Sequence, residues 1–307
     1  MPDYNLIKPA LTNVSVAFKS PNYKIEEILP RVPVSKTTAK YYVFDKENLR
    51  ITETARAGKT VSNEVTYTVS TGTYTMIRHS NHGLIDQEDR DNAAGTALSP
   101  DADMTEVLTE KMLARMEYEG ERLIFDTVDY ATGNKAAITG TAKWDVGTIA
   151  DPIGQIESAS LTILKKIGRR PNTLVLGAEV WKAIKTSNAV RDNIKYTGFG
   201  VPTEEIVAKM FDIDKVVRAE GTYNSVVEGQ TDSLLFLWGK RAALLYVSPT
   251  PALKSPTFGY IFSHPRGRYV TSWYDPDRDA TKIEVNDMFQ VKKVDNTAGF
   301  LFDGVVS

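Results

Sequence analysis

The chain has 307 residues, of which 42% are hydrophobic and 25% charged, close to the usage of ordinary globular proteins. Lys and Arg number 37 against 39 Asp and Glu, and this balance argues against a strong nonspecific grip on nucleic acid. The absence of cysteine excludes disulfides, thiolate metal sites and cysteine nucleophiles. The sequence contains neither a signal-peptide pattern nor a run of about 18 apolar residues, so we expect no secretion signal and no membrane span.

Residues 1 to 34 contain five prolines, each of which fixes φ and removes a backbone donor. This composition predicts an extended arm with short structured pieces. The arm also carries many large apolar side chains, which free tails seldom hold. We therefore expect the arm to become ordered on a neighbouring subunit.

Residues 35 to 80 are predicted to form a long β-hairpin. YYVF at residues 41 to 44 is a strong strand signal, and VTYTVS from Val65 alternates apolar and hydroxyl residues. Few residues in this region could build a core, and an isolated two-stranded hairpin is marginal in water. Either the rest of the chain or another chain must hold it.

The longest predicted helix begins with Ser-Pro at residues 99 and 100 and runs to about residue 127. Ser suits the capping position, Pro suits the first helical position, and two Asp residues in the first turn match the helix dipole. Apolar residues then recur at roughly helical spacing. The polar face is acidic, with Glu106, Glu110, Glu117, Glu119 and Glu121.

The remaining elements interleave helices and strands. Helices are predicted at residues 153–167, 178–185 and 203–211, the first of them ended by Gly168. A buried strand is predicted from Asn172, with further strands at 215–219, 234–237, 242–247, 258–262, 268–274, 281–285 and 288–294. The predicted fold class is therefore α+β.

Motifs of catalysis and metal binding are weak. The chain has no phosphate-binding glycine motif and no GxSxG. His79 and His82 fit a polar pair better than a zinc site. The run Asp275, Asp277 and Asp279 lacks the glycine and glutamate of a calcium loop and is predicted to be a solvated turn. We expect no enzyme activity, no cofactor and no metal.

Five segments carry a resemblance to a known family. They are HGLIDQEDRDNA, WDVGTIADPIGQIESA, RPNTLVLGAEVWKAIKTSNAVRDNIKY, LLFLWGKRAALLYV and SPTFGYIFSH, in chain order. With these segments, the chain from about Tyr41 onward resembles the major capsid proteins of tailed phages with the Hong Kong 97 type of fold.

The resemblance implies a domain layout and a function. The layout is an N-terminal arm (1–34), an extended loop (35–80), a peripheral domain with a spine helix (81–146 and 266–307) and an axial domain (147–265). The implied function is self-assembly, through hexamers and pentamers, into the icosahedral shell of a virion that encloses double-stranded DNA without reading its sequence. Assembly in the host cytoplasm, a portal partner and no membrane contact are also implied. Without a long helical leader, the need for scaffolding or decoration proteins stays open.

In this family the extended loop lies over a neighbouring subunit, and the charges of this chain fit such a contact. Residues 36 to 59 hold six basic and three acidic residues, whereas residues 101 to 126 hold eight acidic and three basic ones. The opposite signs predict contact between the loop of one subunit and the long helix of the next. The predicted contact residues are Lys46, Arg50, Arg56, Lys59, Glu110, Glu117 and Glu121.

Two alternatives remain open at this point. Within the same fold, the chain could be the shell protein of an encapsulin compartment, which a neighbouring cargo-enzyme gene would favour. From a different class, it could be an enzyme with an unrecognised carboxylate site. Such an enzyme would run as a monomer or small oligomer in size-exclusion chromatography.

Overall fold

The computed structural model describes residues 7–43, 45–65, 68–94, 99–146, 150–195, 202–226, 229–250 and 255–307. Helices α1 to α8 comprise Pro9–Ala17, Ile25–Ile28, Gln87–Ala93, Pro100–Ile124, Pro152–Ile167, Ala178–Thr186, Asn188–Ile194 and Glu204–Met210. Strands β1 to β14 comprise Arg31–Pro33, Thr38–Val43, Ser70–Thr75, Ile77–Asp86, Lys135–Ala137, Thr173–Gly177, Lys215–Ala219, Thr222–Asn224, Leu234–Phe236, Ala242–Leu245, Gly259–Ser263, Tyr269–Asp275, Ala280–Lys293 and Gly299–Asp303. The predicted mixture of helices and strands is confirmed.

The first sheet is built around β13, a strand of 14 residues. β4 runs antiparallel along one side of it, while β12 and β11 pair in succession along the other. β1 adds a parallel strand beside β11. The prediction of two strands, 281–285 and 288–294, is wrong. Asn286 and Asp287 divide the apolar pattern there, but both are buried and both have partners, so the strand continues through them.

Helix α4 packs over this sheet, chiefly on β13 and β4. Its buried side chains include Leu108, Met112, Met116 and Ile124, which recur at the spacing of one helix face. The predicted long helix is confirmed, with its end at Ile124. Of the helices that the structure describes, none is long and apolar enough to cross a membrane.

The second sheet has the strand order β5-β14-β10-β6-β7. Every residue of β6 and β10 is buried, and α5, α6 and α8 pack around this sheet. The predicted helices of this region are confirmed. Gly168 ends α5 in the left-handed conformation, with φ of 69°.

The two sheets do not follow the predicted domain boundary at residue 265. β14 lies in the segment assigned to the peripheral domain, yet it pairs with β10. β11 lies in the segment assigned to the axial domain, yet it pairs with β13. The predicted start of the axial domain, at residue 147, lies outside the described residues.

From residue 7 onward, the N-terminal segment packs on its own subunit. Helix α1 contacts α4 and β12, and the hydroxyls of Ser15 and Thr109 are 2.7 Å apart in a buried hydrogen bond. Ile25, Ile28 and Leu29 are at most 2% exposed and belong to the main core. For these residues the prediction of an arm ordered by a neighbouring subunit is wrong, because their apolar side chains find partners within the chain. Residues 1 to 6 lie outside the described part.

Strands β2 and β3 form an antiparallel hairpin in the region where one was predicted, with Thr38 opposite Thr75 and Val43 opposite Ser70. The second strand is Ser70–Thr75, whereas the prediction placed it at VTYTVS from Val65; of the described residues of that run, only Ser70 lies in the strand. The base of the hairpin rests on β11, where the ring centroids of Tyr74 and Phe262 are 4.5 Å apart. The hairpin is shorter than predicted, because residues 77 to 80 already belong to β4. Phe44 and residues 66 and 67 lie outside the described part.

Candidate subunit interface

The segment between β2 and β3 has its side chains in solvent. Every residue from 50 to 65 is exposed, including Arg50, Arg56 and Lys59. Ile51 is 97% exposed and Val61 is 90% exposed. Large apolar side chains grouped in water are typical of a surface that another molecule covers. We call residues 50 to 65 the projecting loop.

Lys46 lies at the root of the projecting loop. It is exposed in a short 3-10 helix, Lys46–Leu49, beside the end of α5. The pKa of Lys166 on α5 is lowered by burial and, to a smaller extent, by the charge of Lys46. A Cβ added to Gly168 would lie 3.4 Å from Leu49, so the root packs closely on this helix end. Lys46 is therefore separate from the three basic residues of the projecting loop.

The three predicted acidic partners on α4 differ in their accessibility. Glu110 is exposed, and Glu121 is partly covered. Burial raises the pKa of Glu121, against the opposing effect of Arg241 and Arg122. Glu117 is fully buried, at 0% exposure. The prediction that Glu117 contacts a neighbouring subunit is therefore wrong.

Glu117 instead joins three distant parts of the chain. Its Oε2 accepts hydrogen bonds from the backbone N–H groups of Lys24, at 2.9 Å, and Ile25, at 2.7 Å. Its Oε1 accepts one from Trp238 Nε1 at 2.6 Å. Burial raises the pKa of the Glu117 carboxyl to about 6, although these three donors favour the ionised form. The carboxylate thus holds the start of α2 and the buried Trp238 ring against α4.

The spacing of the sequence could have revealed this role. Glu117 lies four residues after Leu113 and seven before Ile124, both of which are buried, so it falls on the inner face of α4. Gly120 lies on the same face and lets α2 approach, because a Cβ there would be 2.2 Å from Ile25 Cδ1. A count of charges along the helix does not distinguish its two faces.

A buried ion network fixes the N-terminal segment at a second point. The Asp287 side chain is 0% exposed and lies 3.0 Å from Arg31 Nη2 and 3.8 Å from Arg268 Nε. Arg268 Nη1 also donates to the carbonyl of Ser15 at 3.0 Å. Buried charges require partners of this kind, and the network joins β13, the residue that precedes β12, and the N-terminal segment.

The residues that the sequence analysis weighed as metal ligands, the two histidines of β4 and the aspartates at and after the end of β12, have structural contacts in the fold. His79 and His82 are three positions apart on β4, so their side chains point to opposite faces of the strand. The His79 ring stacks on Phe289 at 4.2 Å, and burial lowers its pKa. Tyr274 donates a hydrogen bond of 2.5 Å to Asp279, in the turn between β12 and β13. Among the described residues, no group of three or more His, Asp or Glu side chains could hold a metal ion.

A second exposed apolar surface was missed by the sequence analysis. Strands β8 and β9 pair with each other in a separate two-stranded sheet. Tyr223, Leu234, Leu235 and Phe236 are between 41% and 71% exposed. The signal in the sequence is the scarcity of charge, since Glu and Asp each occur once between Gly221 and Trp238 and no Lys or Arg occurs there.

Two curated proteins are similar to this chain along nearly their whole lengths. The major capsid protein of Burkholderia phage BcepMu is 27% identical over 313 aligned residues, which cover 98% of this chain and 97% of that protein. The major capsid protein of Pseudomonas phage JBD67 is 26% identical over the same shares of the two chains. No protein-family model matches the chain.

Solved structures show the same fold at lower sequence identity. A phage-related protein from Bordetella bronchiseptica matches with a TM-score of 0.77 and 22% identity, covering 99% of each chain. The capsid of cyanophage P-SCSP1u matches with a TM-score of 0.60 and 8% identity, covering 94% of this chain and 89% of that one. An encapsulin complex from Synechococcus elongatus matches with a TM-score of 0.55 and 11% identity, over 94% and 89% of the two chains. The fold is therefore one that capsid structures share, and along almost its whole length the chain is similar to the major capsid proteins of phages.

Proposed function

We infer that this chain is a phage major capsid protein, a structural protein whose copies assemble into the shell of the virion. The observation that carries this conclusion is the similarity to two phage major capsid proteins over 98% of the chain. The fold agrees with it, since capsid structures match at similar coverage. The exposed apolar projecting loop is also what an assembling subunit requires.

The finer architecture that we propose follows the Hong Kong 97 type of fold. The β2–β3 hairpin with its projecting loop corresponds to the extended loop, and α4 to the spine helix. The sheet around β13 corresponds to the peripheral domain, and the sheet that contains β6, β10 and β14 to the axial domain. This assignment replaces the sequence boundaries with the strand pairings.

We further propose that the shell is icosahedral, is built from hexamers and pentamers in the host cytoplasm, and encloses double-stranded DNA. A portal protein would join the shell at one vertex. Whether assembly also uses scaffolding or decoration proteins is left open by this proposal. The formal net charge of -2 supports enclosure without tight binding, because a firm grip on DNA requires a basic surface.

The proposed function is tested by the size and shape of the purified protein. Sedimentation and negative-stain electron microscopy should reveal closed particles, or subunits that form them on concentration or with coexpressed phage proteins. A chain that stays monomeric under all these conditions would contradict the proposal and would favour the enzyme alternative.

The encapsulin alternative has a specific observation in its favour, the fold match to an encapsulin complex. It has weaker support than the phage proposal, because that match is at 11% identity whereas the curated relatives are phage proteins at 27% and 26%. Particles isolated from the native source distinguish the two. Nuclease-protected phage DNA would support the phage shell, and a packaged enzyme identified by mass spectrometry would support the compartment.

A contact between the projecting loop and α4 of a neighbouring subunit is the interface that we propose for this shell. Arg50, Arg56 and Lys59 supply the basic side. On the exposed face of α4, the acidic side comprises Asp103, Glu106 and Glu110. Val107, half exposed between the last two, offers an apolar surface for Ile51 or Val61 of the loop. Glu121 stays a candidate at the margin of this face, and Glu117 is excluded by its burial.

Charge reversal tests this contact. The double variant Arg50→Glu/Arg56→Glu should slow assembly, most strongly at low salt, because screening weakens attraction between exposed charges. Adding Glu106→Lys/Glu110→Lys to the same chain should partly restore the rate. The matched control is Lys182→Glu/Lys209→Glu, which changes two exposed basic residues elsewhere and alters the net charge equally. Light scattering gives the rate, and equal rates for the loop variant and the control at every salt concentration would refute the contact.

A further inference from the structure

The β8–β9 hairpin presents apolar side chains on both of its faces. Tyr223 lies opposite Leu235, so these two side chains share one face. Leu234 and Phe236 are each one residue from Leu235 and therefore point to the other face. Leu234 is 71% exposed and the other three are between 41% and 48% exposed. In the subunit this small sheet has water on both sides.

The hairpin is nevertheless fixed in its conformation. The backbone of Leu237 donates to Gly221 at 2.7 Å, and that of Ser225 to Ser233 at 2.9 Å, so hydrogen bonds close both ends of the strand pair. Asn224 accepts from Ser233 N and donates to Asp232. Strand β9 ends two residues before Trp238, whose ring Glu117 holds in the core. A two-stranded sheet of this length is marginal in water by itself, which favours a partner that covers it.

The charges around the hairpin indicate what the partner is. None of the six residues of β8 and β9 is charged. The neighbouring Glu220 is paired with Arg218 at 3.2 Å, and Asp232 is engaged by Asn224. A partner that brought a charged side chain onto these strands would bury that charge without a counter-charge, at a large cost in free energy.

The other exposed apolar groups of the chain differ in this respect. Ile51 and Val61 lie among the basic residues of the projecting loop, and Val107 lies among the acidic residues of α4. The projecting loop holds three basic and two acidic residues and so has a small positive excess, which is opposite in sign to the exposed acidic residues of α4. Among the surfaces that the structure describes, an uncharged apolar sheet that complements the β8–β9 hairpin is offered by the same hairpin of a second copy.

We propose that the β8–β9 hairpins of neighbouring copies pack against each other in the assembled particle. This contact rests on the proposed function, because it requires several copies of the chain in one particle. It is separate from the contact between the projecting loop and α4, and it depends on apolar burial, so its strength should change little with salt.

Substitution of the hairpin tests the contact. The double variant Leu234→Asp/Phe236→Asp should reduce particle formation by about tenfold or more, because it places buried charges against an uncharged partner. The control is Val128→Asp, at an isolated apolar position that is 81% exposed. All three positions are exposed in the subunit, so the unassembled variants should have the same melting temperature as the unassembled wild-type protein. Particles are counted by sedimentation.

Cross-linking identifies the partner. Because the chain has no cysteine, Thr222→Cys introduces one thiol beside Phe236 on the hairpin. A short bis-maleimide should link two chains in assembled particles and should not link unassembled subunits. The variant Val128→Cys is the control and should remain unlinked.

The outcomes separate the contact from the proposed function. If the wild-type chain never forms particles, the proposed function fails. If particles form and the Leu234→Asp/Phe236→Asp variant assembles as well as wild type, the hairpin contact is refuted and the function stands. If that variant fails to assemble but Thr222→Cys gives no linked chains in wild-type-like particles, the hairpin meets a different surface and the proposal is also overturned.

Discussion

At the scale of single residues, the burial of the Glu117 carboxylate affects both the stability of the subunit and its dependence on pH. Within the part of the chain that the structure describes, no cationic side chain forms an ion pair with this buried carboxylate, and three N–H donors stabilise it. Such donors offset only part of the cost of removing a charge from water, which explains why its pKa stays above the ordinary value. In return, the carboxylate holds the start of α2 and the Trp238 ring in place against α4.

Replacing Glu117 by Ala should be strongly destabilising. The substitution leaves two backbone N–H groups and the Trp238 indole N–H without an acceptor in the core. We expect a loss of roughly 3–5 kcal/mol in the free energy of unfolding of the unassembled subunit. Glu110→Ala, on the exposed face of the same helix, should change it by less than about 0.5 kcal/mol. Urea denaturation measures both, and equal values would contradict the role of Glu117.

The raised pKa of Glu117 also predicts a pH dependence. Because the pKa is about 6 in the folded subunit and 4.5 ordinarily, the folded state binds the proton more tightly. The contribution of this residue to stability should therefore increase as the pH falls from about 7.5 to about 3.5, by about 2 kcal/mol in total. The variant Glu117→Gln, which does not titrate, provides the reference. A difference between wild type and Glu117→Gln that is constant over this range would rule out the raised pKa.

At the scale of elements, the projecting loop should be dispensable for folding. The hairpin below it is held by β2–β3 pairing and by Tyr41 and Tyr74 against Phe262. Deletion of residues 48 to 63 removes a segment in which residues 49 to 63 are exposed, and it shortens a connection, which changes loop-closure entropy only slightly. We expect the variant to fold, with a melting temperature close to that of wild-type subunits, and to lose assembly. A deletion that unfolds the subunit would show that the loop packs on its own chain.

Elements with a strong local signal could be predicted from the sequence. Helices α4 and α5 have amphipathic spacing and end signals, and both occur where expected. β1 and β14 were not predicted, because each is a short strand whose existence depends on a partner far along the chain. The same limit applies to the site. Charge is the basis on which a contact between the projecting loop and α4 is proposed, but the burial of Glu117 depends on α2 and Trp238, which local sequence patterns do not bring together.

At the scale of the whole molecule, stability should depend on assembly. The two exposed apolar surfaces, the projecting loop and the β8–β9 hairpin, lose contact with water only when another chain covers them. Partner binding adds to the stability of the folded state by mass action. Calorimetry should therefore give a higher melting temperature for particles than for subunits, and the subunit value should rise with protein concentration. Equal, concentration-independent temperatures would contradict assembly through these surfaces.

The strand order has a consequence for protein synthesis. β13 is the strand on which β4, β11 and β12 converge, and β14 separates β5 from β10, so both sheets need residues from the last tenth of the chain. Until these last residues have been synthesised and have left the ribosome, neither sheet can be completed. The earlier strands that pair with β13 or β14 lack those partners during translation. A chain released early by a nonsense codon or a translational stall would lack the central strand β13 of the first sheet and the strand β14 that joins β5 to β10 in the second. We therefore expect truncated products to be cleared by host proteases before they can enter, and spoil, a growing particle.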